Sequence, residues 1–196
     1  MAEERIKSAL EKALERASLV GTLSAEESER LEFVPIGHAM AARFLREKDY
    51  DLHADLERYK GRPKHWLRQG VEEILLRNIV LPVDGKAVEG NKRAMEGLVI
   101  VKRDKKEMYR LLSELEYLFN YYQRAVEHAY LTAKEHFAAR ADAAQKAVEA
   151  QLGVPVRIDP EKQPGFRETW LRMLQQFSGQ YEAMLEEWKQ KVRLVS

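Results

Sequence analysis

The 196-residue sequence has no cysteine, which removes disulfides, thiolate metal ligands and thiol nucleophiles together and is compatible with a reducing compartment. Neither charge is in excess: 33 basic residues stand against 32 acidic ones. The chain as a whole therefore has no field to draw in nucleic acid or an anionic membrane, and any such binding would have to be local. Long apolar runs are missing too. The longest, Leu98 to Val101, falls far short of the roughly 20 residues that span a bilayer. The first twenty residues carry Glu3, Glu4, Lys7, Glu11 and Lys12 and so lack the unbroken apolar core of a signal peptide. A cytoplasmic location with no membrane partner is the expectation.

Recognisable chemistry is also scarce. The five histidines include no Glu-x-x-His and no His-Glu-x-x-His pattern. Asp49, His53 and Glu57, four residues apart, make one polar stripe of a helix, whose ordinary meaning is a solvated face. The stretch from Gly85 to Gly90 has the glycine spacing of a phosphate-binding loop, but Asn91 stands where that loop needs lysine and no Ser or Thr follows. No Gly-x-Ser-x-Gly occurs. No catalytic residue, cofactor site or metal ligand is assigned, and the chain is expected not to be an enzyme.

What is present is helix-forming material. Ala, Glu, Lys, Leu and Arg supply 103 of the 196 residues, a level associated with long helices and coiled coils when the periodicity agrees. From Asp104 to Leu152 there is neither proline nor glycine. The apolar positions Met108, Leu111, Leu115, Leu118, Tyr122, Val126, Ala129, Ala133 and Phe137 recur there at steps of three or four, which predicts one helix roughly 70 Å long. Asp104 with Glu107 opens it as a capping pattern, and Gly153 ends it. Its seam changes near Ala125 from large side chains to alanines.

Before that helix the periodicity predicts several shorter ones. Residues 3–19 form an amphipathic stretch with Ile6, Leu10, Leu14 and Ala17 inward, stopped by Gly21. Ser24 with Glu27 is a capping box that starts a second helix, which Pro35 is expected to end or kink near Phe33 before a continuation from Ile36 to Glu47. Asp49 or Asp51 caps a short helix reaching about Tyr59. A strongly apolar helix follows from Pro63 to about Ile79, where Gly70 in mid-helix points to close packing against a neighbour. Residues 88–102 read as a helix, with a rival short strand at Leu98 to Val101 paired to Ile79 to Val83. After Leu152 three prolines mark an extended or turning segment, and a last helix runs from about Phe166 to Leu194. Its short connection makes it an antiparallel neighbour of the long helix. Trp170 and Phe177 are then expected opposite the alanines of 137–150, with the far end of this helix near Tyr121.

Two stretches could meet partners. The turn around Tyr59 to Trp66 gathers Arg58, Lys60, Arg62, Lys64 and Arg68 beside two rings, a pattern able to grip a phosphate backbone while a ring stacks on a base. The loop after the long helix holds Val154, Val156 and Ile158 at the free end of a hairpin, where apolar side chains fold back or contact a protein.

The segments Ala9 to Arg16, Asn78 to Pro82 and Val154 to Pro160 resemble those of uncharacterised bacterial all-helical proteins. That resemblance implies a helical bundle and no activity. The expectation is an all-α fold, a helical head over 1–103 and a long antiparallel two-helix, coiled-coil-like hairpin over 104–196 whose upper part packs on the head. The expected function is non-enzymatic, a protein–protein interaction or scaffold role with a protein partner or self-association as a homo-oligomer. Nucleic-acid binding through residues 58–68 is the alternative.

Overall fold

The computed structural model describes residues 24–155 and 157–196. The amphipathic stretch expected at 3–19 and the stop at Gly21 lie outside the described residues. The fold is all-α: among the described residues there are six α-helices, one 3-10 turn and no strand. The helices are α1 (Ala25–Arg46), α2 (Leu52–Glu57), α3 (Gly61–Asn78), α4 (Gly85–Val101), α5 (Lys105–Leu152) and α6 (Phe166–Leu194). Packing divides the chain into two compact units, 1–73 and 74–196, with the division inside α3. It is a division by packing density, distinct from the boundary at 103/104 that the sequence suggests.

In the first unit, the Ser24 hydroxyl accepts from the Glu27 N–H and the Glu27 carboxylate accepts from the Ser24 N–H, closing the expected capping box. Helix α1 then continues through Pro35, so of the end or kink expected near Phe33 the end does not occur. Pro35 lies on the exposed side, and so does Leu31, whose carbonyl loses its partner. Water can serve that oxygen, so the cost of proline stays low enough for packing to carry the helix on. On its inner face Gly37 meets Gly70 of α3, and a Cβ built on either would lie 2.3 Å from a carbonyl oxygen of the facing helix. The close neighbour that Gly70 implied is therefore the backbone of α1. Asp51 caps α2 by accepting from the Ala54 N–H at 2.9 Å, and Leu52 and Leu56 are buried.

In the second unit the rival strand pairing is absent. Asn91, buried in α4, donates to the Val80 carbonyl at 2.7 Å and accepts from the Val80 N–H at 2.9 Å. One side-chain amide thus serves both backbone groups that a ribbon would have paired, and residues 98–101 stay helical. Helix α4 starts at Gly85, three residues before the expected Val88, because Asp84 accepts from the Ala87 N–H at 2.7 Å.

Helix α5 runs from its Asp104 cap to Gly153, which takes the left-handed conformation at φ 67° that ends a helix. Met108, Leu111, Leu115, Tyr122, Ala129, Ala133 and Phe137 of the expected seam are buried. Helix α6 packs antiparallel along it. Trp188 Nε1 donates to the Leu111 carbonyl at 2.6 Å, Tyr122 lies edge-on to Phe177 and Tyr181, Trp170 meets Tyr130, and Phe166 meets Phe137.

That register corrects the expected one: Trp170 and Phe177 face Tyr130 and Tyr122, not the alanines of 137–150. The cause is the connection, which doubles back along the last turns of α5. The Ile158 N–H donates to Gln145 Oε1 at 3.4 Å, and Lys134 pairs with Glu161 at 2.6 Å beside the 3-10 turn (Pro160–Lys162). Helix α6 therefore begins level with Phe137 and reaches past Tyr121 to the start of α5. There the Arg103 and Asp104 N–H groups donate to the main-chain oxygen of Ser196, at 2.7 and 3.0 Å, and Lys102 Nζ donates to the Val195 carbonyl at 2.8 Å.

Candidate functional site

The basic turn at 58–68 is divided by its own packing. Arg58 pairs with Asp55 at 3.0 Å and Lys64 with Glu57 at 2.6 Å, so two of the five cations are held by carboxylates of α2. The Glu57 carboxyl is lowered chiefly by its hydrogen bond from Lys64. Lys60 and Arg62 are exposed, whereas Arg68 is half-buried and its Nε has no hydrogen-bond acceptor among the described residues. Trp66, the ring that would stack on a base, is half-buried with its edge against His65 at 4.9 Å between centroids. Two further cations, Lys102 and Lys105, are likewise engaged. Lys102 is buried on the Val195 carbonyl, and Lys105 donates to the carbonyls of Val99, Ile100 and Lys102 at the end of α4.

At the connection after α5, Val154 is exposed and Ile158 is half-buried, while Val156 lies outside the described residues. The segment is tied down on its polar side. The Lys134 ammonium and the Tyr130 hydroxyl hold the Glu161 carboxyl below the usual carboxylate range.

A shallow polar cleft of about 580 Å³ opens between the end of α1 and α2, lined by Arg43, Glu47, Tyr50, Asp51, Asp55 and Arg58 among others. Its charges satisfy one another. Arg43 donates to Glu47 at 2.7 Å and lies 4.5 Å over the Tyr50 ring, and the Tyr50 hydroxyl donates to Asp55. Burial, aided by that hydrogen bond and the Asp55 charge, pushes the Tyr50 phenol well up, opposite in sense to what a proton-abstracting tyrosine needs. Among the described residues no group of three His, Asp or Glu side chains is placed to hold a metal ion, and no helix is long and apolar enough to cross a membrane.

A further exposed feature among the described residues is one that spacing alone did not single out. On the side of α5 away from its buried seam, Tyr109, Tyr117, Tyr121 and Leu131 are 58, 69, 59 and 49% exposed. With Ser113, Arg124 and His128 they follow one another at steps of three or four, so they form a stripe along the helix. Tyr117 and Tyr121 stack with ring centroids 6.4 Å apart and 27° between planes. The signal was present as tyrosines at spacings of four and eight. The opposite stripe of leucines and alanines offers a competing inward face, and periodicity does not rank the two.

Comparison with protein families matches residues 53–194 to a family of unknown function, DUF6657. The chain belongs to the DUF6657 family. No curated protein and no solved structure matches it. The expected resemblance to an uncharacterised family is borne out, and the DUF6657 stretch contains the basic turn, the connection after α5 and the whole tyrosine stripe.

Proposed function

We propose that this DUF6657 chain is a non-enzymatic interaction or scaffold protein that works inside the cell through the outer face of α5. The observation that carries the reading is the stripe of Tyr109, Tyr117, Tyr121 and Leu131, exposed on a helix whose opposite face is already filled by α6. Tyrosine combines large contact area with few rotatable bonds, so a rigid row of them suits protein contact better than solvent. Val154 and Ile158 offer a smaller second contact. The nucleic-acid alternative has less support, since Arg58 and Lys64 are engaged by carboxylates and Trp66 is half-buried.

The test is a photo-crosslinking residue placed at Ser113, in the stripe, or at Glu182, an exposed position of α6, in the full chain expressed in its host cell. A protein adduct at Ser113 and none at Glu182 supports the reading. No adduct at either position, or equal adducts at both, overturns it.

A further inference from the structure

We propose that the partner on the α5 stripe is a second copy of this chain, docked antiparallel as a two-fold dimer; this rests on the interaction reading above and names its occupant. The stripe continues at the same steps of three and four to Lys106 at one end and Glu135 at the other, both exposed and neither in an ion pair among the described residues. It spans about 43 Å of helix. A parallel copy would set Lys106 against Lys106.

An antiparallel copy turned about an axis midway between Asn120 and Tyr121 sets Lys106 opposite the second copy's Glu135, and symmetry makes that pair twice. The same midpoint serves Tyr117 and Arg124. Each exposed guanidinium then lies opposite a tyrosine face of the other copy, a favourable cation–ring contact. The two Tyr121 rings come side by side at the axis, and Tyr109 falls beside Leu131. Two pairings of different chemistry, one charge to charge and one cation to ring, thus share a single axis. That coincidence favours a copy of this chain over an unrelated partner.

Size agrees. Three rings of ~150–250 Å² each, more than half exposed, supply roughly 300–400 Å². Leu131 and the charged flanks bring the face toward the ~800 Å² per partner of a standard interface. The net charge of +1 gives two copies no long-range repulsion.

Sedimentation equilibrium of the purified full chain tests the proposal. A reversible dimer is expected, weakened on the order of tenfold by Lys106→Glu alone or Glu135→Lys alone. An equimolar mixture of these two variants should regain the wild-type affinity, because both ion pairs form in the mixed dimer, one with its wild-type polarity and one with its polarity exchanged. Tyr117→Ala with Tyr121→Ala should give a monomer with an unchanged far-ultraviolet circular dichroism spectrum. A wild type that is monomeric at every concentration, a dimer indifferent to the charge reversals, or a mixture no tighter than either variant alone overturns the proposal. A monomer in solution that still forms an adduct at Ser113 with a different protein removes the self-pairing and leaves the interaction role standing. An adduct within one chain, to residues 3–19, overturns both.

Discussion

Gly37 of α1 and Gly70 of α3 face each other reciprocally. A Cβ on Gly37 would fall 2.3 Å from the Leu67 oxygen, and a Cβ on Gly70 would fall 2.3 Å from the Val34 oxygen. Each glycine thus looks onto the carbonyl three residues before the other, and the two backbones approach as closely as their α-hydrogens permit, a geometry suited to weak C–H to carbonyl contacts. The partner atoms are backbone and cannot swing aside.

Alanine at either position is therefore expected to destabilise the chain by about 1–3 kcal/mol in spite of its better helix propensity. A Cβ on Gly179 in α6 would meet nothing within 4 Å among the described residues, so Gly179→Ala should stabilise by about 0.5–1 kcal/mol. Urea unfolding of the three variants checks the difference in sign.

Helix ends were legible because they are written locally. Ser24 with Glu27, Asp51, Asp104 and Gly153 each act within four residues, and each caps a helix in the structure. The register of α6 was not legible. It is set by contacts such as Gln145 with Ile158 and Lys134 with Glu161, which fold the connection back along α5, and nothing in the spacing of Trp170 or Phe177 encodes them. Whether Pro35 ends its helix was not legible for a related reason, since its local preference is outweighed by packing around Gly37. At the candidate site the basic turn was visible as composition, but Asp55 reaches Arg58 only once α2 has formed, and Glu57 reaches Lys64 only across the turn into α3.

The two indoles facing α5 should respond differently to the same change. Trp188 is buried and its N–H reaches the Leu111 carbonyl at 2.6 Å, whereas the Trp170 N–H is buried without a partner among the described residues. Trp188→Phe is expected to cost about 1–2 kcal/mol beyond the small loss of packing, while Trp170→Phe removes an unsatisfied donor and should be near neutral. Thermal unfolding of both variants reads the contrast.

Asn91 carries both hydrogen bonds of Val80 from a buried position. Asn91→Leu strands a backbone donor and acceptor together and should destabilise by about 2–4 kcal/mol. Asn78→Ala, which removes an exposed bond to the Ile74 carbonyl, should cost well under ~1 kcal/mol. Denaturant midpoints of the two variants give the comparison.

Acid should weaken the contact between α1 and α3 at Glu73. Burial pushes this carboxyl up, but hydrogen bonds from His38 at 2.9 Å and Gln69 at 3.0 Å, with the His38 and Arg30 charges, bring it below its ordinary 4.5. A carboxyl lowered by folding contributes stability that is complete above the unfolded value and lost as pH falls through the folded one. Because the pair is partly exposed and screened, Glu73→Gln is expected to cost about 0.5 kcal/mol at neutral pH and close to nothing once both forms are protonated. Urea titrations of wild type and variant at about pH 7 and about pH 3 measure the convergence.

The seating of Val195 and Ser196 on the corner between α4 and α5 has a kinetic meaning. The Arg103 and Asp104 amides would ordinarily be open to solvent at the start of a helix, yet here both are held by the main-chain oxygen of Ser196. Their exchange with deuterium cannot proceed while that end is docked. Two adjacent amides, far in sequence from Ser196, thus act as a clock for the lifting of that end, and their protection reports how often α6 lets go of α5 there.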